Sequence, residues 1–199
     1  RWMLLCAAHA IQLGAEVYIV DLVKGVDDRD WAPILPAVAG AWDQPEDAVR
    51  EMNRLHMDTL ARPRWQPEDR SPFRVFLFDE VQEFIATKTK GARGAGLDGA
   101  VTFRKMVAEL RSKGAAVLAA TQLPEVDQIK ASARTNLRVK MAGRLDNEAE
   151  YKAALGGKWN GTKIPDTSDH WGVGYVDLDG RGAQRFRGWN ISDAWLAAH

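Results

Sequence analysis

The stretch Arg74-Val75-Phe76-Leu77-Phe78-Asp79-Glu80 leaves a chain few ways to fold. Val75 to Phe78 is a continuous apolar run, the length and composition of a strand buried on both faces. Two carboxylates, Asp79 and Glu80, follow at once. Ending a buried strand on adjacent acids costs desolvation unless a cation or hydrogen-bond donors wait there. A second apolar strand is predicted from Ala115 to Ala120, ending on Thr121, Gln122 and, after Leu123, Pro124. Between them Phe103, Met106, Val107 and Leu110 recur at helical spacing, and Gly114 stops the helix. Strand, helix, strand with both strands apolar throughout reads as a βαβ unit of a parallel sheet. That connection puts Asp79, Glu80, Thr121 and Gln122 at one edge of the sheet.

Ligands of open α/β sheets bind beyond the carboxyl ends of the strands. Asp79-Glu80 has the pattern of a Walker B motif, in which Asp79 helps to hold Mg²⁺ and Glu80 orients and polarises the attacking water. A strand running into a solvated acidic turn gives the same dipeptide. Thr-Gln after a strand is, taken alone, as readily a helix cap or a turn. The two signals together favour a nucleotide site.

The order of FLFDE, a basic glycine-bearing loop, a helix, AATQLPEVDQIKASARTNLRVKMAGRLD and an alternating tail resembles the motor domain of FtsK/SpoIIIE DNA-translocating ATPases. The versions carried by actinobacterial plasmids and integrative conjugative elements look nearest. The resemblance covers roughly residues 2 to 190, with residues 75 to 146 as its specific core. Ala120, Thr121, Gln122 and Pro124 match the family's ATQ-x-P stretch; Asn136, Arg138 and Asp146 match the segment after it. Glu16 to Asp21, followed by Lys24, resembles the family strand that ends on Asp-Pro-Lys, with Leu22 and Val23 in place of the proline spacing.

This resemblance implies an α/β, RecA-like P-loop NTPase core: a mainly parallel sheet flanked by helices, with a C-terminal β-hairpin. It implies ATP and Mg²⁺ as cofactors, with Asp79, Thr121 and Gln122 at the nucleotide and Asp79, Glu80, Gln122 and Arg138 in catalysis. Partners would be double-stranded DNA and further copies of the chain in a hexameric ring. Ring ATPases of this type take an arginine from the neighbouring subunit. Arg134, Arg138 and Arg144 are the candidates here. Glu148 stands where the family often has an arginine two residues after the Asp matched by Asp146.

The family's glycine-rich phosphate loop, Gly-x-x-Gly-x-Gly-Lys-Ser/Thr, is absent from the sequence. The alignment places it just before Arg1, so residues 2 to 13 read as the rest of the helix that follows it. Leu4, Leu5, Ala8 and Ile11 give that helix an apolar face, and Gly14 a stop. We therefore expect residues 1 to 199 to be a single RecA-like domain truncated on its N-terminal side, inactive towards ATP as it stands. The native sequence upstream of Arg1 would decide between a motor and a degenerate, non-catalytic docking module. A related ATPase that engages protein substrates in secretion is the further alternative.

Cys6 is the only cysteine, which excludes an internal disulfide, fits a reducing compartment and reads as a small buried apolar residue. No apolar run approaches the roughly 20 residues that span a bilayer. The expected location is cytoplasmic, with the intact protein at the inner face of the cell membrane through a region outside this sequence. His9, His56, His170 and His199 show no metal-ligand spacing.

With 27 basic and 27 acidic residues the net charge is zero, so any DNA contact is expected to be local. Lys88, Lys90 and Arg93 on a glycine-bearing loop, continued by Arg104 and Lys105, form the best local patch. Such cations can track phosphates without reading bases; a solvated loop is the alternative. Elsewhere, residues 25 to 43 read as a loop, 45 to 61 as a helix with Met52, Leu55 and Thr59 on one face, and 62 to 72 as a linker. Val173 to Asp177 and Ala183 to Arg187, joined around Asp179-Gly180, read as a hairpin. Trp159, Trp171, Trp189 and Trp195 are expected to pack in a core or an interface.

Overall fold

The computed structural model describes residues 2–26, 31–66, 68–69, 71–90, 96–122, 135–156, 159–167 and 172–188. The chain divides after Gln122 into two compact units, the second running from Leu123 to Ser192.

The first unit is built on two strands made almost wholly of apolar residues. β1 (Glu16–Asp21) and β3 (Arg74–Asp79) pair in parallel at the centre of a four-stranded sheet, and their apolar residues are buried. β2 (Gly40–Trp42) flanks β1 and β4 (Ala115–Ala119) flanks β3, again in parallel, giving the order β2-β1-β3-β4. The register sets Asp21 opposite Asp79, so two acids end neighbouring strands at the same level. β2 lies inside the expected loop: three residues are too few to show an alternating pattern. β4 is only half-buried past Ala115, not buried on both faces as expected, because it is the edge of this described sheet.

Aromatic rings bind the sheet across its strands. Trp42, Tyr18 and Phe76 stack in sequence, with ring centroids 6.3 and 5.2 Å apart. Phe78 meets Phe84 of α3 (Val81–Ala86) edge-on at 4.9 Å and Phe103 of α4 (Gly99–Glu109) at 5.4 Å. Such pairs contribute about 0.5–1.5 kcal/mol each beyond their burial. They fix both helices against the strand that ends on Asp79. Gly99 sits where a Cβ would lie 1.9 Å from the Phe84 carbonyl oxygen, so only glycine lets the two helices approach so closely.

α2 spans Pro45–Ala61, the range read from the sequence, and buries Met52, Leu55 and Thr59 together with Ala48, Val49 and His56. α1 (Trp2–Gln12) buries Leu4 and Ala7, with Leu5, Ala8 and Ile11 partly covered. Cys6 falls on the opposite side of that helix from Leu4 and is exposed, which corrects the expectation of a buried thiol. Among the described residues no helix is long and apolar enough to cross a membrane.

The second unit is a three-stranded antiparallel sheet, β5 (Val139–Ala142), β6 (Val173–Leu178) and β7 (Gln184–Arg187), with one helix, α5 (Glu148–Leu155). The hairpin is the expected one, and Asp179 and Gly180 in its turn both take positive φ. Its core stacks Trp159 on Tyr151 at 4.5 Å, with Tyr175 edge-on to both, as expected for Trp159. Trp171, Trp189 and Trp195 lie outside the described residues. α5 was not anticipated, although a cap signal precedes it. The Asn147 side chain accepts from the Glu150 N–H and donates back to the Glu150 carboxylate, a reciprocal cap.

Candidate active site at the strand ends

Two parallel strands end side by side on Asp21 and Asp79, and the chain treats the two acids differently. Asp21 is fully buried and spends its oxygens locally. One oxygen accepts from the backbone N–H groups of Val23 and Lys24 (3.2 and 3.0 Å), and the other from the Trp31 indole (2.8 Å). This folds the turn after β1 and brings the Lys24 ammonium to 3.5 Å from Asp79 Oδ2. Asp79 keeps partial access to water. Burial pushes its carboxyl above the ordinary range; Lys24 opposes that rise, and the charges of Asp21 and Glu80 add to it. Lys24 thus favours the charged form of Asp79.

Glu80, only 5% exposed, is the junction between β3 and α3. Its backbone lies in the left-handed region at φ 49°, ψ 59°, a conformation that costs a non-glycine residue about 1–2 kcal/mol. Strain of this kind persists where surrounding structure enforces it, and often at functional positions. Here the ladder between β3 and β4 continues past the strands: Ala120 N–H donates to Phe78 O, and Val81 N–H donates to Ala120 O. The next residues then run over Glu80. Its Oε2 accepts from the Gln122 backbone N–H at 3.1 Å and from the Gln82 side-chain amide at 2.5 Å.

The structure thus brings together Asp79, Glu80 and Gln122. Gln122 acts through its main chain, while its side chain belongs to an exposed residue. Thr121, half-buried, sits between Ala120 and Gln122 at the same strand end. Gln82 escaped the sequence reading, since a glutamine two residues after an acid carries no recognisable pattern. Its amide oxygen is buried without a partner, so its orientation is set by the bond to Glu80. Lys24 appeared only through the family resemblance, and the structure gives it a contact.

Among the described residues no group of three or more His, Cys, Asp or Glu side chains could hold a metal by itself. Mg²⁺ keeps several waters and is bound through one or two carboxylates plus substrate phosphates, a demand that a single accessible carboxylate can meet. Asp79 supplies a partly accessible carboxylate, whereas the oxygens of Asp21 are already engaged.

The remaining predicted residues lie elsewhere. Lys88 and Lys90 are exposed on the loop before α4, and Lys88 Nζ is 3.8 Å from Asp98, which caps α4 by accepting from Val101 N–H. The loop's base is closed by Thr89 N–H donating to Leu97 O and Leu97 N–H donating to Thr89 Oγ1. Arg104 and Lys105 are exposed on α4; Arg93 and Arg134 fall outside the described residues. Within the second unit, Arg138 pairs with Asp179 at 3.6 Å and Arg144 pairs with Asp166.

No family model and no curated protein matches the sequence. Solved structures do match its fold. The pCW3 conjugation coupling protein TcpA, in a monomer form with ATPγS, superposes with a TM-score of 0.64 at 15% identity, over 92% of this chain and 55% of TcpA. The cytoplasmic domain of the Thermomonospora curvata type VII secretion ATPase EccC gives 0.60 at 17% identity, over 92% of this chain and 23% of EccC. The genome packaging NTPase B204 of Sulfolobus turreted icosahedral virus 2, in complex with ATPγS, gives 0.52 at 10% identity, over 92% of this chain and 88% of B204. This chain spans about half of TcpA and less than a quarter of EccC. At these identities the likeness is one of fold: an α/β, RecA-like core, a parallel sheet flanked by helices, shared with TcpA, EccC and B204.

Proposed function

We propose that the intact protein is an ATPase motor that drives double-stranded DNA, in conjugative transfer or chromosome pumping. The observation that carries this is the buried Glu80 carboxylate, held by Gln82 and the Gln122 N–H beside Asp79. A domain without chemistry has no reason to desolvate an acid on a strained backbone at the ends of two parallel strands.

In this reading Asp79 holds Mg²⁺, which arrives with the nucleotide and neutralises charge on its phosphates. Glu80 orients water for in-line attack, with Oε2 fixed by its two donors, the Gln82 amide and the Gln122 N–H. Thr121 and Gln122 follow the state of the nucleotide at the end of β4. Arg138 reaches the site of a neighbouring copy in a hexameric ring. Lys88, Lys90, Arg93, Arg104 and Lys105 touch the DNA backbone. The motor works on the cytoplasmic side of the membrane.

A second reading, a secretion ATPase that acts on protein substrates, is favoured by the likeness to EccC. DNA is preferred because TcpA, a conjugation coupling protein, superposes over more of its own length and with the higher TM-score. The test is ATPase activity of the full-length protein with and without linear double-stranded DNA. Stimulation by DNA is the expected result. Turnover that ignores DNA but rises with a secretion substrate peptide would support the second reading, and no turnover at all would support a docking module.

A further inference from the structure

Lys24 has no role in the reaction proposed above, yet three features of the fold converge to place it. Asp21 is buried and accepts the Lys24 N–H, so the backbone of the turn is pinned. The register of β1 on β3 sets that turn beside Asp79. The side chain then reaches back so that Nζ stands 3.5 Å from Asp79 Oδ2. We propose that Lys24 is a phosphate-binding residue held in reserve: its ammonium occupies the cation position at Asp79 until Mg²⁺ enters with nucleotide, and then turns to the phosphates. This rests on the reading of Asp79 as the Mg²⁺ ligand.

The geometry of the pair favours exchange over permanence. At 3.5 Å it is longer than the 2.7–2.9 Å of a tight charge-assisted bond, and both side chains keep access to water, at 39% and 18%. A divalent ion outcompetes a monovalent ammonium for one carboxylate. Once displaced, Lys24 cannot leave, because its main chain stays bonded to Asp21. The phosphate chain that the ion itself brings then offers the ammonium an anionic partner, and lysine binds phosphate well as a point charge. Two cations would then serve one anionic ligand where one cation had served one carboxylate.

The proposal predicts two affinities moving in opposite directions. In the full-length protein without nucleotide, Mn²⁺ binding followed by electron paramagnetic resonance should tighten roughly fivefold in Lys24→Gln, the weight of one unit charge at that separation near water. Binding of ATPγS in the presence of Mg²⁺ should weaken roughly tenfold in the same variant, as one charge-assisted contact is lost. Lys24→Arg should restore the nucleotide affinity, and Asp79→Asn should abolish Mn²⁺ binding, leaving the free-ion signal undiminished. If Lys24 only neutralises Asp79 for folding, the two affinities would fall together or stay unchanged, and the proposal is overturned. If the wild-type protein binds neither Mn²⁺ through Asp79 nor ATPγS, the ATPase reading itself fails, a result distinct from the first. A melting curve of Lys24→Gln equal to that of the wild type keeps either outcome from being a folding artefact.

Discussion

At the scale of the residue, Glu80 and Asp79 are neighbours in sequence with opposite environments. Glu80 is buried and accepts two hydrogen bonds on Oε2; Asp79 is partly open and faces an ammonium. A desolvated carboxylate held by donors can polarise water, while an accessible one can share a hydrated ion. Glu80→Gln should therefore leave ATP binding intact and cut turnover by about a hundredfold or more, the usual weight of a general base. Equilibrium binding of a fluorescent ATP analogue beside steady-state turnover measures both, and wild-type turnover would remove Glu80 from the chemistry. Asp79→Ala should show the converse pattern: binding that no longer improves when Mg²⁺ is added. Both acids were legible in the sequence because a buried strand rarely ends on charge. Gln82 was not, because its part depends on how α3 leaves the strand and on the left-handed turn at Glu80.

At the scale of the element, Arg74 is the knot that sets β1, β3 and α2 in register. It is 8% exposed, donates to Glu16 Oε2 at 2.8 Å, and from one nitrogen reaches Asp58 Oδ2 at 2.6 Å and Thr59 Oγ1 at 2.7 Å. Burial alone would raise the Glu16 carboxyl, but bonds from Arg74 and Tyr18 and the charges of Arg74 and Arg62 bring it below its ordinary value; Asp58 is lowered chiefly by its bond to Arg74. Both shifts are downward, so their stability is present above the unfolded carboxylate values and is lost as pH falls through the folded ones. Arg74→Met should cost about 2–4 kcal/mol at neutral pH, less than a fully buried pair because Glu16 and Asp58 still reach water. Urea unfolding from pH 7 to 3 should show the variant losing less stability than the wild type below about pH 4.5. Equal slopes would mean that the knot does not carry the charge. Gly99→Ala should also destabilise, by about 1–3 kcal/mol, since its new methyl must push α3 from α4; an unchanged melting temperature would refute this. These elements differ in how far the sequence discloses them. α2 has a proline start, acids in its first turn and a long apolar face, so its span is legible to the residue. β3 is an apolar run with a charged end. β2 and α3 are too short to show a period, and the open side of β4 is a property of the sheet, not of its five residues.

At the scale of the whole molecule, the questions are whether copies complete one another and what the machine holds. If Arg138 acts on the neighbouring site, mixing Arg138→Ala with Asp79→Ala protein should restore part of the ATPase activity, because some interfaces then carry one sound arginine and one sound Asp79. No rescue at any mixing ratio would leave Arg138 as the partner of Asp179 alone. If the substrate is DNA, a net charge of zero means that the affinity must come from a local patch. Lys88 and Lys90 are exposed on a loop whose base is closed by the Thr89–Leu97 bonds, and Arg93 lies on the same loop in sequence. No asparagine or glutamine stands near them to read adenine, so contacts should go to phosphates and ignore base composition. Binding should then weaken steeply with salt, and neutralising Lys88, Lys90 and Arg93 together should flatten that dependence by roughly one slope unit per lost contact. Basal ATPase should survive, since neither Lys88 nor Lys90 is among the described partners of Asp79 and Glu80, while stimulation by DNA should fall. ATPase rate against DNA concentration at two salt levels measures both effects. A triple variant that answers DNA as the wild type does would make the loop ordinary solvated surface and move the contact to Arg104 and Lys105 on α4, whose exposed side chains are the next cations along the chain.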